Sequence, residues 1–438
     1  MLSLLGYLMV ITFTCLILLK RLSPFTGLIL IPIVFGLMGG FGLELAPLMM
    51  EGIAKIAPTA VLLLFAILYF GIMLDTGLFD PLIKKILQIV KGDPLKVIVG
   101  SAVLPGIVGF DGDGSSTMMI CVTPFLVLYK RLGINPVILA ALTIMQIGIT
   151  TMVPWGGPAG RVASALHLDV TQLSFAVLPG MIVALLYVVF VAYIIGKRER
   201  LRLGIGNPHM DWETEKLMAA TAAEDSAWKD TSGKRPFFVW INFGLTVIIM
   251  VALVLDVVPA PLLFMLGTAI ALVINYPDIQ QQRERITAHA PNVLAVVSMV
   301  LAAGIFTGIL KGTQMSAEMA QTLVSIIPPA LGSHLPVVTA ILSVPGLFFL
   351  GPDGFYFGIL PVLAETAAFY GITPMQIGTA SLYGTPFGIM GPLVASVYLL
   401  IGMTGVGLGE FQRYTAKWAW MIVVIYILVG LFTGMIPL

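Results

Sequence analysis

The sequence predicts an all-α polytopic membrane protein with about 11 transmembrane helices, two re-entrant hairpins and two broken helices, arranged as an inverted repeat. Three observations lead there. Of the 438 residues 58% are hydrophobic and 10% charged, with a mean hydropathy of +1.03, which excludes an ordinary soluble protein. Apolar runs near the ~20 residues that span a bilayer recur along the chain. One unusual order, two half-length apolar limbs around a polar tip and then a helix interrupted by Gly and Pro, occurs twice.

Taken in order, spans are expected at about 2–19, 24–43 and 57–74. The first has no basic stretch before it and Lys20-Arg21 after it, so it reads as a retained helix rather than a cleaved leader. From Asp80 to Lys96, Leu82, Ile83, Ile86, Leu87 and Val90 oppose Lys84, Lys85 and Lys91, the pattern of an interfacial amphipathic helix. The next apolar piece is too short to cross and ends at Asp111-Gly112-Asp113-Gly114-Ser115-Ser116-Thr117, a poor helix sequence, so a hairpin is expected over 97–129. A helix from Pro136 must break at Pro154-Trp155-Gly156-Gly157-Pro158 and resume to about 166, because proline removes a donor and clashes with the preceding turn. After a span at 173–195, the basic run Lys197–Arg202 opens a cytoplasmic linker over 197–235.

The second half brings spans at about 237–255, 260–275 and 292–310, then the first half's order again. A hairpin is expected over 335–370 with Gly351-Pro352-Asp353-Gly354 at its tip, a broken helix over 374–403 interrupted at Thr385–Pro392, and a last span at 415–435. Landmarks match in order: Asp113-Gly114 with Asp353-Gly354, Asn135-Pro136 with Thr373-Pro374, Gly157-Pro158 with Gly391-Pro392. The expected units are an N-terminal helix (1–22), a first repeat (23–196), the linker, and a second repeat (236–438). With the N-terminus outside, all but three of the 23 Lys and Arg fall in the cytoplasm, the exceptions being Lys55, Arg161 and Lys311. The hairpins then enter from opposite sides. Paired Gly/Pro-interrupted segments in matching positions point to a transporter site at the repeat interface.

Tips and breaks supply free amides, carbonyls and half-helix dipoles, which suit a ligand carrying both signs of charge. Asp111, Asp113 and Asp353 are candidates to bind a hard cation, to take a coupling proton, or simply to cap helices together with Ser115, Ser116 and Thr117. Arg161 holds a substrate carboxylate, pairs with an acid to secure the break, or snorkels toward the outer surface. Trp155 walls a pocket or lies at an interface; Tyr356, Tyr383 and Thr385 donate hydrogen bonds or pack. His167, His209, His289 and His334 read as solvated or interfacial, Asp75 and Glu365 as weaker coupling candidates, and Cys15 and Cys121 as packing residues. An EF-hand is excluded: Ser116 stands where the loop needs Gly and Val122 where it needs Glu. No phosphate loop, zinc-protease helix or nucleophile elbow occurs, so no enzyme is expected.

The set Asp111-Gly112-Asp113-Gly114, Pro154–Pro158 with Arg161, Pro352-Asp353, Phe355–Glu365 and Pro392-Leu393-Val394 resembles the bacterial citrate-divalent metal:proton symporters of the ion transporter superfamily, across nearly the whole chain. The resemblance implies a protein of the inner membrane, a homodimer moving a metal-citrate complex inward with protons by an elevator motion, with Mg or Ca as part of the substrate and no other cofactor. Nucleic acid is not an expected partner. Carried over, the substrate-binding set is Asp111, Gly112, Asp113, Gly114, Ser115, Ser116, Thr117, Pro154, Trp155, Gly156, Gly157, Arg161, Asp353, Gly354, Tyr356, Thr385, Gly391 and Pro392. Asp111, Asp113 and Asp353 are also the candidates for proton coupling and for contact with the substrate's metal. Gly391 departs from the serine common at that place in the family. The alternatives are a sodium-coupled di- or tricarboxylate carrier and a cation/proton antiporter.

Overall fold

The computed structural model describes residues 1–90, 93–203, 236–255 and 257–437. Every regular element among them is helical: α1 (Leu2–Leu18), α2 (Pro24–Met38), α3 (Leu45–Asp75), α4 (Asp80–Val90), α5 (Pro94–Val108), α6 (Gly114–Leu132), α7 (Pro136–Thr150), α8 (Gly157–Leu166) and α9 (Val170–Arg202) in the first half. The second half holds α10 (Pro236–Val254), α11 (Ala260–Asn275), α12 (Ile279–Gly312), α13 (Met315–Ile326), α14 (Leu335–Pro345), α15 (Leu360–Ala368), α16 (Pro374–Leu382), α17 (Ala395–Thr404) and α18 (Leu408–Phe432). Local chemistry sets many starts. Ser23, Asp93, Asn135 and Thr373 each cap a helix whose first residue is proline, where the missing N–H costs nothing.

Several boundaries differ from the sequence reading. Because Asp93 caps α5, the amphipathic helix stops at Val90 and Lys96 belongs to the first hairpin, which spans 94–132. The run Lys197–Arg202 is the end of α9 rather than loop. Most of the linker, His209 included, lies outside the described residues. Helix α3 is 31 residues long and starts at Leu45, well before the expected 57, running through Pro58.

The helices pack as two bodies. In one, α3 lies along α12 and α11, α2 along α12, and α13 along α1. Here Gly304, Gly308 and Gly312 recur every fourth residue on α12. A Cβ on Gly52 would meet the Gly304 carbonyl and one on Gly308 the Leu48 carbonyl, so the two backbones touch, as small-residue helix crossings in membranes do. In the other body α7 is the hub: every residue from Val137 to Thr150 is buried, with α5, α6, α9 and α18 around it. The hairpin limbs pack on each other, α5 on α6 and α14 on α15; in the first, buried Ser101 Oγ and Tyr129 OH are 2.7 Å apart. The bodies meet where α8 lies on α3 and α12, where α13 lies on α15, and where α1 passes the second hairpin.

Candidate functional site

At the first tip the chain must reverse within a few residues. Gly112 takes a left-handed conformation (φ +81°), and a Cβ there would sit 2.7 Å from Cδ1 of Trp155. Asp113 then caps α6: its carboxylate accepts from the Ser115 N–H at 3.0 Å, the Ser116 N–H at 3.4 Å and the Ser116 hydroxyl at 2.5 Å. Asp111 differs. It is 3% exposed, and its Oδ1 accepts from the Asp113 N–H (2.9 Å) and the Thr117 hydroxyl (3.1 Å). Its Oδ2 is buried without a hydrogen-bond partner among the described residues. An unmatched buried carboxylate oxygen is costly and calls for a proton or a cation.

The first break leans on this tip. Residues Thr151 to Gly156 are all buried. Trp155 donates its indole N–H to the Phe110 carbonyl at 2.8 Å and lies between Phe70 of α3 (5.2 Å, stacked) and Phe264 of α11 (5.2 Å). It is therefore a brace between the tip and the other body. The roles of Phe70 and Phe264 had no signal in their own sequence neighbourhoods.

At the second tip Gly351 turns the chain with φ +73° and ψ 168°, flanked by wide turns over Gly346–Leu350 and Gly354–Ile359. Asp353 Oδ1 accepts from Arg161 Nε of α8 at 2.7 Å, and both side chains keep about a fifth of their surface exposed, 21% and 23%. Only Nε is used. The terminal nitrogens, one of which lies over Gly157, have no protein acceptor among the described residues. Arg161 thus joins the first repeat's broken helix to the second repeat's hairpin and retains a free guanidinium edge.

The second break closes against the same hairpin. Buried Tyr356 and Thr385 share a hydrogen bond of 3.1 Å. A Cβ on Gly391 would be 2.8 Å from the Phe348 carbonyl and 2.9 Å from that of Gly388, which explains why glycine stands there. The Met390 carbonyl accepts from Gln412 of α18 at 2.9 Å. The second break also packs on α7, close before the first break: a Cβ on Gly148 would be 2.7 Å from Cα of Pro386. Gly114, Pro154, Gly156 and Gly354 form backbone at the tips and the first break, and Pro392 lends its carbonyl to the Tyr398 hydroxyl at 2.8 Å. Among the described residues no three His, Cys, Asp or Glu side chains close on a point that could hold a metal ion.

Two expectations need correction. His289 is not solvated: its Nε2 is 2.9 Å from Asp75 Oδ2, which Arg285 also approaches at 3.5 Å, so Asp75 is spent tying α3 to α12. Cys15 is exposed on α1 rather than packed, whereas Cys121 is buried. His334 is exposed, as read.

The model of a family described as "Citrate transporter" matches residues 3–384. Three Bacillus subtilis (strain 168) proteins align over 100% of this chain and of their own length. They are "Citrate transporter" (49% identical), "Mg(2+)/citrate complex secondary transporter" (46%) and "Uncharacterized transporter YraO" (45%). Among solved structures, the YdaH transporter of Alcanivorax borkumensis, described as having an unusual topology, superposes with a TM-score of 0.55 at 15% identity, covering 89% of this chain and 88% of that one.

Proposed function

Because this chain belongs to the citrate transporter family, we propose that it imports citrate or a related polycarboxylate as a complex with a divalent cation such as Mg or Ca, in symport with protons. The family is one of transporters, not enzymes. The observation that carries this reading is the half-used ion pair between Arg161 and Asp353. A metal-citrate complex presents both signs: free carboxylate oxygens for the open guanidinium edge, and a cation for Asp353 when the substrate parts the pair. Chelation also lowers the charge that must leave water, reducing the cost of entry.

In this mechanism the complex seats between the two tips and the two breaks. Asp113, held by three donors, keeps the α6 N-terminus aimed at the site, while Asp111, with one oxygen unmatched, takes the coupling proton. The body holding both hairpins and both breaks, α5–α9 with α14–α18, then slides as an elevator against α1–α3 and α10–α13, in a homodimer in the bacterial cytoplasmic membrane. By element order, α1–α4 stand before the first hairpin as α10–α13 stand before the second. We therefore take α1 as part of the first repeat with residues 23–196, and residues 236–438 as the second.

The test is Arg161. Replacing it with Gln removes a charged hydrogen-bond donor worth about 1.5–3 kcal/mol. Mg-dependent citrate uptake should fall roughly 10- to 150-fold in kcat/KM, with Arg161→Lys only partly restoring it. Undiminished uptake by Arg161→Gln would contradict the assigned contact.

A further inference from the structure

Away from the hairpin tips, a cavity of about 180 Å³ lies where α8 ends, between α3 and α12 on the side of the chain's N-terminus. Glu51 and Lys55 of α3, His167 and Lys311 of α12 line it, and none of the tip or break residues does. It gathers two of the three basic residues that the charge distribution leaves outside the cytoplasm. Lys55 is held by Glu51 one turn away at 2.7 Å. Lys311 has no carboxylate within ion-pair distance among the described residues; Glu365 of α15 acts on it from farther off. Its place in the last turn of α12 suits the helix dipole, but that does not account for His167. This residue closes α8 in a left-handed conformation (φ +58°), and its Nδ1 is buried without a partner among the described residues. Two ammonium groups against one carboxylate leave the cavity with positive charge and an unused imidazole nitrogen.

We propose that this cavity is a second ligand site, which binds a small oxyanion of the carboxylate or phosphate class through Lys311, His167 and Lys55. Its walls come from both bodies: α3 and α12 from one, the α8–α9 turn from the other. An anion seated there binds only while the two adjoin in this way, so occupancy favours this arrangement over any other. The imidazole supplies a pH dependence. Burial first, and the nearby Lys311 and Lys55 next, push His167 down to about 4, against the pull of Glu51. A bound oxyanion raises that value, so binding takes up a proton and tightens as pH falls from 7 toward 5, by at most tenfold per unit for a single proton. The other titratable groups near it are Glu51, Lys55 and Lys311, and Glu365 acts on Lys311.

The test reads binding rather than transport, and so stands apart from the citrate assignment. The Tm of the purified full-length protein in detergent is followed against sodium phosphate, and separately against metal-free citrate, at ionic strength matched with sodium chloride. The expected result is a saturable rise with at least one of the two anions. That rise should persist in Lys311→Arg and in Arg161→Gln, vanish in Lys311→Gln, and in His167→Gln change with pH only as the charge of the anion itself changes. A rise with phosphate assigns oxyanions generally, and one with citrate alone assigns carboxylates. No rise with either anion would overturn the proposal, as would a rise that survives Lys311→Gln or disappears in Arg161→Gln.

Discussion

Asp111 and Asp113 stand two residues apart and meet different surroundings. Asp113 spends its carboxylate on the α6 N-terminus, whereas Asp111 keeps an unmatched oxygen out of water. Substitutions should separate the two. Asp113→Ala removes a cap and should lower stability by about 1 kcal/mol, read as a fall in Tm. Asp113→Asn still caps and should fold; loss of coupled uptake in it would show that the charge of Asp113, and not only its capping of α6, serves the site. Asp111→Asn should also fold, since Oδ1 can go on accepting from the Asp113 N–H and the Thr117 hydroxyl. Its citrate flux should no longer respond to a proton gradient; a normal response in proteoliposomes would remove Asp111 from the coupling role. The sequence drew the eye to both carboxylates because they violate an apolar run. It did not distinguish them, because the difference lies in which backbone N–H groups the tip turns toward each.

At the scale of elements, tips and breaks were legible for one reason: Gly, Pro and Asp cannot continue an apolar helix, so their positions mark where helices must stop. What those ends touch was not legible. Arg161 and Asp353 are 192 residues apart, and nothing in either one's own sequence neighbourhood named the other as its partner. Asp75 and His289 are 214 apart and turned out to be paired. One signal was present and unread: the Gly304, Gly308, Gly312 spacing on α12, which marks the α3 crossing. Gly308→Leu should therefore push α3 away and cost about 1–3 kcal/mol, seen as a lower Tm. At the second break, Gly391→Ser brings the serine common in the family into a place where its Cβ presses on the Phe348 and Gly388 carbonyls. The second tip would have to shift, and uptake should fall although a hydroxyl has been added. Increased uptake in that variant would mean that the tip accommodates the side chain freely.

For the molecule as a whole, the two bodies meet across α1 and the second hairpin, where a Cβ on Gly358 would be 3.4 Å from Oγ1 of Thr14. A sliding hairpin body must break this contact on every cycle. The pair Thr14→Cys with Gly358→Cys should cross-link readily in the arrangement described, and the cross-linked protein should bind substrate but not carry it across. Transport that continues with the link intact would rule out relative movement at this seam. Metal-citrate symport is decided by uptake of labelled citrate into proteoliposomes under an inward proton gradient, with sodium absent and Mg either supplied or omitted. Accumulation should require Mg and collapse with a protonophore. Accumulation without any divalent metal, or only once sodium is restored, would contradict it.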